Sequence, residues 1–415
     1  MDSPVADRDS MLATAERISQ EILAAAVWKE DRCNWIGAMP EEGIGGRTTL
    51  SYRALGADLY GGTAGVGLFL AEIARTTADE QCRRTALGAL RHAVSRVEDI
   101  PASQVGLYSG RPGVALALTL AARALDQPEL DGAARAIASN LTGPGAGEEL
   151  DLMSGSAGAI VGLLALRVLL EEEKLLDLAV LHGDALLAAA EQPGDGLCWP
   201  ARMLPGTPSL TGLSHGAAGI AVALLELAAA TGLDRYRLAA EAGFAYERTL
   251  FDPVARNWPD LRGEHRDGQA SFAVFWCHGA PGGALARLRA LELYELGELR
   301  GEAHAGLATT EDWVSAALAS GSVNYSLCHG LAGNAEILLE GSTLSTTASD
   351  LAGRVAEAGI EDYLADERPW PSGAYGGFAP CLFLGLAGIG RFYLRLAQPE
   401  LPSLLLVRPA DLGGS

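Results

Sequence analysis

Two stretches of this 415-residue chain set cysteine and histidine side by side ahead of an apolar run: FWCHGAPGGALARL at 275–288 and SLCHGLAGNAEILL at 326–339. Two thiolates and an imidazole are borderline-soft donors suited to zinc. Cys277, Cys328 and His329 form such a set, provided that the chain brings residues some fifty positions apart together. Three protein ligands would leave the fourth tetrahedral position open, the mark of a catalytic rather than a structural zinc. A single Cys-His-Gly step reads more simply as a small buried thiol beside a core histidine. Two steps in corresponding places favour the metal. The chain has six cysteines; Cys33, Cys82, Cys198 and Cys381 read as small buried hydrophobes, and their wide scatter predicts reduced thiols.

The elements that would position these residues are visible in the glycines, 51 in all against a usual share of ~7%. Seven segments carry Gly-x-x-Gly followed by small and apolar residues: Gly62/Gly65, Gly110/Gly113, Gly155/Gly158, Gly216/Gly219, Gly279/Gly282, Gly330/Gly333 and Gly385/Gly388. The first glycines are spaced 48, 45, 61, 63, 51 and 55 residues apart, room for two helices and two connections each. The helix after each motif is apolar nearly all round, hence buried, and those between are one-faced, hence peripheral. Strand signals are almost absent. The reading is all-α: an α/α toroid of seven inner and seven outer helices, favoured over an open solenoid because ring closure makes seven backbones converge where the glycines lie, their missing Cβ allowing close approach and positive φ. Residues 1–45 are expected to be a helical segment, MLATAERISQEILAAAVW, packed outside a toroid spanning 46–415.

In such a ring the loops before the inner helices share one mouth. They carry Tyr60, Tyr108 with Ser109, Asp151 with Ser154, His215, Cys277 with His278, Cys328 with His329, and Phe383. His215 suits acid–base work as readily as a core hydrogen bond. Asp151 suits capping as well as catalysis. A net charge of −21 leaves no basic footprint for nucleic acid. The N-terminus lacks a secretory pattern and no apolar run is long enough to span a membrane, so a cytoplasmic location is expected.

WCHGAPG with LCHGLAGN, supported by WIGAM (35–39), ADLYGGTAGVGLFLAEIA (57–74), GLSHGAAG (212–219) and AYERTLFDPVARNWPDLR (245–262), resembles the lanthionine synthetase C-like family. The likeness is greatest to the cyclase half of the bifunctional lanthipeptide synthetases. It implies a zinc-bearing toroid with Cys277, Cys328 and His329 as ligands, and His215, His278 and Asp151 as catalytic residues. The implied reaction adds a peptide cysteine to dehydroalanine or dehydrobutyrine in a precursor peptide dehydrated by a separate dehydratase or kinase/lyase enzyme. Two alternatives stand beside it: addition of a small thiol such as glutathione, and a non-catalytic subunit that presents peptide to a partner. The nisin-type cyclases have Tyr after the first cysteine and Arg four before it. Here those positions are His278 and Ala273.

Overall fold

A computed structural model describes residues 7–42, 48–262, 270–321, 324–374 and 377–413. The expected boundary between residues 45 and 46 lies outside the described residues. Each first glycine of the seven motifs is the N-cap of an apolar helix. These are α2 (Thr63–Thr77), α4 (Arg111–Leu125), α6 (Ser156–Leu170), α8 (Ala217–Thr231), α10 (Ala280–Leu293), α12 (Leu331–Glu340) and α14 (Leu386–Ala397). Between them run α3 (Glu80–Arg96), α5 (Pro128–Ser139), α7 (Lys174–Ala189), α9 (Asp234–Leu250), α11 (Gly297–Ser320) and α13 (Ala348–Gly359). In α3 only one stripe is buried, Cys82, Ala86, Ala89, Leu90 and Ala93, the pattern of an outer helix.

Each inner helix touches the next, and α14 returns to touch α2, which closes an α/α toroid. Helices α3 to α13 supply six outer places. The seventh is filled by α1 (Arg8–Ala24), which packs against α14 through a stripe that includes Met11, Ala15, Ile18 and Ile22. One end of the chain thus completes the helix pair begun by the other. At the C-terminal ends of the inner helices closure is also ionic: Arg391 of α14 grips Glu72 of α2 at 2.9 and 3.0 Å, and both are buried. Removing one partner of such a pair leaves an uncompensated buried charge, at a cost of about 3–5 kcal/mol.

Two sequence expectations change. The helix at the N-terminus stops at Ala24, and Val27 and Trp28 belong to a strand. Two antiparallel hairpins follow: β1 (Val27–Lys29) with β2 (Arg32–Asn34), and β3 (Ile36–Glu42) with β4 (Thr48–Ala54). Strands of three residues are too short to show alternation, so they escape a pattern search. Second, the glycines matter mainly for close approach, and not for left-handed backbone. A Cβ on Gly333 would run into the Leu327 carbonyl oxygen, and the second glycine of every motif meets the corresponding carbonyl. Among the seven first glycines only Gly279 has positive φ, +86°. No helix among the described residues is long and apolar enough to cross a membrane.

Candidate active site

The loops ahead of the inner helices are laced together by their backbones at one position, two residues before each first glycine. The Tyr60 N–H donates to the Tyr108 carbonyl (3.0 Å), Tyr108 to Met153 (3.2 Å), Met153 to Ser214 (3.1 Å) and Ser214 to Cys277 (3.1 Å). On the other side Cys328 donates to Phe383 (3.0 Å) and Phe383 to Tyr60 (3.0 Å). Six of seven junctions are bonded, and among the described residues the open one lies between Cys277 and Cys328. The cause is local. The Cys277 loop folds back on itself, with the Phe275 N–H donating to the His278 carbonyl and Val274 bridged to Gly279, whose backbone is left-handed.

The two cysteines face each other across that gap. The hydrogen bond from the Cys328 thiol holds Cys277 below the usual thiol range, against the opposing effect of burial and with help from Arg262 and His215. The same bond, then burial, pushes Cys328 well above it. The two thiols are therefore unlike, Cys277 the more acidic of the pair, and the Tyr60 hydroxyl lies against Cys328 and acts the other way on it. His329 has Nε2 3.3 Å from the Gly373 carbonyl, an arrangement that leaves Nδ1 with its lone pair. Gly373 cradles the ring: a Cβ there would lie 2.8 Å from Nε2. The donor set therefore fits zinc in type, with a carbonyl orienting the imidazole. Among the described residues no three His, Cys, Asp or Glu side chains already converge as a ligand cluster. The sulfurs are paired, while the His329 ring is turned to Gly373.

Asp151 and His215, from neighbouring loops, are joined by a 2.5 Å contact between Oδ2 and Nδ1. Burial opposes the imidazolium, but the Asp151 hydrogen bond and charge outweigh it, and the His215 pKa is raised. His278 differs. Its ring stacks on that of His215 with centroids 5.7 Å apart, and burial followed by Arg262 lowers its pKa to about 3. It bonds to the Thr211 backbone, while its buried Nε2 has no protein partner. The structure thus brings together Cys277 with Cys328, Asp151 with His215, and His215 with His278; His329 sits beside Cys328 but faces away from the pair.

Arg262 had no place in the repeat pattern. It lies in the connection between α9 and α10, and its charge acts on both sulfurs and on His215, His278 and His329. Asp260 braces it with two bonds of 2.9 and 2.7 Å. Burial works against the Asp260 carboxylate, but Arg262 and His278 hold its pKa at about 2. The Thr211 hydroxyl anchors this segment to the mouth through the Pro259 carbonyl (2.7 Å). The only sequence signal for Arg262 was its place at the end of the similar stretch 245–262. Tyr60 was visible as a mouth residue, but its contact with Cys328 reaches past the Phe383 loop between them, and no spacing announces it.

The family model of the lanthionine synthetase C-like proteins matches residues 53–406, which include both Cys-His-Gly steps and all seven motifs. The chain belongs to this family. Among solved structures it is similar to nisin cyclase, at 21% identity over 98% of each chain with a TM-score of 0.61. It is also similar to a GH76 alpha-mannanase from Bacteroides thetaiotaomicron, at 10% identity over 94% of this chain and 96% of that chain, TM-score 0.51. At these identities the likeness is one of fold. A toroid shared with a glycan-cleaving enzyme does not by itself select a reaction, and the residues at the mouth must carry the argument.

Proposed function

We propose that this lanthionine synthetase C-like chain is a zinc-dependent cyclase. It would close thioether rings in a precursor peptide whose Ser and Thr residues a separate enzyme has dehydrated. The reading rests on one juxtaposition: a facing pair of cysteines, Cys277 and Cys328, at the same mouth as a carboxylate-backed imidazole. In the reaction the S–H of a peptide cysteine adds across the C=C bond of a dehydro residue. The S–Cβ bond forms, the π bond breaks, and a proton arrives at Cα, so the product is an isomer of the substrate.

Zinc held by Cys277, Cys328 and His329 would lower the pKa of a substrate thiol from ~8.5 and so supply the nucleophile at neutral pH. The remaining work falls to side chains of the mouth. His215, with Nδ1 tied to Asp151, carries its transferable proton on Nε2, and its raised pKa favours the protonated form. It serves as the acid that protonates Cα. His278, kept neutral, offers its unpartnered Nε2 as an acceptor for a peptide N–H of the substrate. Arg262 supplies a fixed positive charge where the enolate oxygen develops. The closed mouth holds both ends of the peptide loop, which makes the addition intramolecular.

The test is incubation with dehydrated, cysteine-containing peptides, followed by alkylation and mass analysis. The cyclase reading expects unchanged peptide mass and the loss of one alkylatable thiol per ring. Retention of every thiol across such peptides overturns it, and a gain of one glutathione mass when glutathione is present points to the small-thiol alternative.

A further inference from the structure

The segment after α14 enters the ring instead of lying on its surface. Leu401, Ser403, Leu404, Leu405, Leu406 and Val407 are each at most 5% exposed. At the end away from the mouth, inner helices on different sides of the ring hold the segment. Arg391 donates to the Pro402 carbonyl (2.8 Å), Arg123 to the Leu412 carbonyl (3.0 Å), and Arg408 pairs with Glu292 and Glu340 (2.9 Å each). An irregular backbone in such a place leaves carbonyls that need donors. Two come from the mouth loops: the Tyr108 hydroxyl bonds to the Leu404 carbonyl (3.0 Å), and the Trp276 indole N–H to the Leu405 carbonyl (3.0 Å).

Trp276 is the residue before Cys277, and the repeats show that it is special. The residue three before the first glycine is leucine in six repeats: Leu59, Leu107, Leu152, Leu213, Leu327 and Leu382. Only the Cys277 repeat replaces it with a side chain that can donate a hydrogen bond. The indole also packs on Tyr108 (5.2 Å between centroids) and Phe383 (5.0 Å), and Phe383 stacks on Tyr60 (4.8 Å), whose hydroxyl meets Cys328. Both cysteines therefore stand on one aromatic floor that the tail holds from below.

We propose that the C-terminal segment is a brace for the thiol pair, with Trp276 as its positioning residue: the Leu405 carbonyl fixes the indole, and the indole fixes Cys277 opposite Cys328 across the open junction. This rests on the ligand assignment above where zinc is concerned, but the brace acts on the pair whether or not zinc is bound. Its sequence trace is the single Trp among six leucines.

The experiment uses the full chain and the variants Trp276→Phe, which keeps a ring and loses the donor, and Tyr108→Phe, which removes the second bond to the tail. Two readouts are taken beside the melting temperature: zinc affinity by chelator competition, and the rate at which diamide oxidises Cys277 and Cys328 to a disulfide in metal-free protein. The brace expects Trp276→Phe to weaken zinc by about 10–100-fold, the effect of losing a group that orients a ligand. It also expects slower disulfide formation at temperatures where both variants remain folded, and Tyr108→Phe to move both readouts the same way by less. Wild-type zinc affinity and oxidation rate in both variants overturn it. If the wild-type chain itself binds no zinc, the cyclase reading falls, while the oxidation rates still decide whether the brace exists.

Discussion

The Asp151 carboxylate spans two repeats: Oδ1 accepts the Ser154 and Gly155 amides of its own loop at 2.8 and 3.0 Å, while Oδ2 lies 2.5 Å from His215 Nδ1 in the next. The cap and the bond to His215 use the two oxygens of one group. Asp151→Asn keeps an oxygen for the cap and loses the charge behind His215. Cyclisation should fall by roughly 10²–10⁴-fold, the range for a positioned general acid, with zinc content unchanged. The direction of the pH effect follows from the raised His215 pKa. The acid works while protonated, so the alkaline limb of kcat/KM marks its pKa. Losing Asp151 lowers that pKa and moves the limb to lower pH. A pH–rate profile of the variant that keeps the wild-type limb would remove His215 from the acid role.

Arg262 is half-exposed and braced by Asp260, so its charge is held in place but partly screened by water. Arg262→Ala should lower kcat/KM by roughly 10–100-fold, less than the 10²–10³ of a buried oxyanion donor. Arg262→Lys should recover only part of this, because a lysine cannot make the forked pair with Asp260. Steady-state kinetics at low and high salt, with zinc measured alongside, separate a charge effect from loss of metal.

Gly279 holds φ +86° and ψ −156°, a region that residues with a Cβ hardly enter, and a Cβ there would strike the Ala273 carbonyl. Gly279→Ala should cost about 1–3 kcal/mol in strain and displace Cys277. Denaturant unfolding and zinc retention should therefore both suffer. Tight zinc binding in that variant would show that the fold-back of this loop does not place the thiolate.

His182, on α7, has Nδ1 3.1 Å from the Ser156 hydroxyl and Nε2 3.2 Å from the Thr142 carbonyl. Burial lowers its pKa despite the Thr142 bond. The unfolded chain then takes up the proton first. The stability His182 contributes is complete above its unfolded pKa of ~6.5 and is lost as pH falls from there through the folded value. Urea midpoints at pH 7.5, 6.5 and 5.5 should decline for the wild type and decline less steeply for His182→Gln.

What could be read in advance was whatever a short window encodes. A glycine at each helix start, an unbroken apolar run after it and a one-faced helix between specify inner and outer helices repeat by repeat, because capping, close approach and burial act within a few residues. The same logic located the mouth and both Cys-His-Gly steps. The β1–β2 hairpin shows no period because its strands have three residues, and the seven-residue β3 is hidden as a strand by Gly37 and Pro40, residues that strands disfavour. Arg262 was missed because it comes from a connection outside the repeat.

Architecture, family and the residue types gathered at one end of the ring are all encoded in short stretches of chain. Which side chains meet is set by the folded ring. It set Tyr60 against Cys328 and Asp151 against His215, brought Arg262 over the thiol pair, and put α1 in the seventh outer place. It also broke the backbone girdle at one junction and ran the C-terminal segment up beneath Trp276. These contacts join residues up to hundreds of positions apart, and they exist because the ring closes. Closure is a property of all fourteen helices at once, so no local pattern carries it.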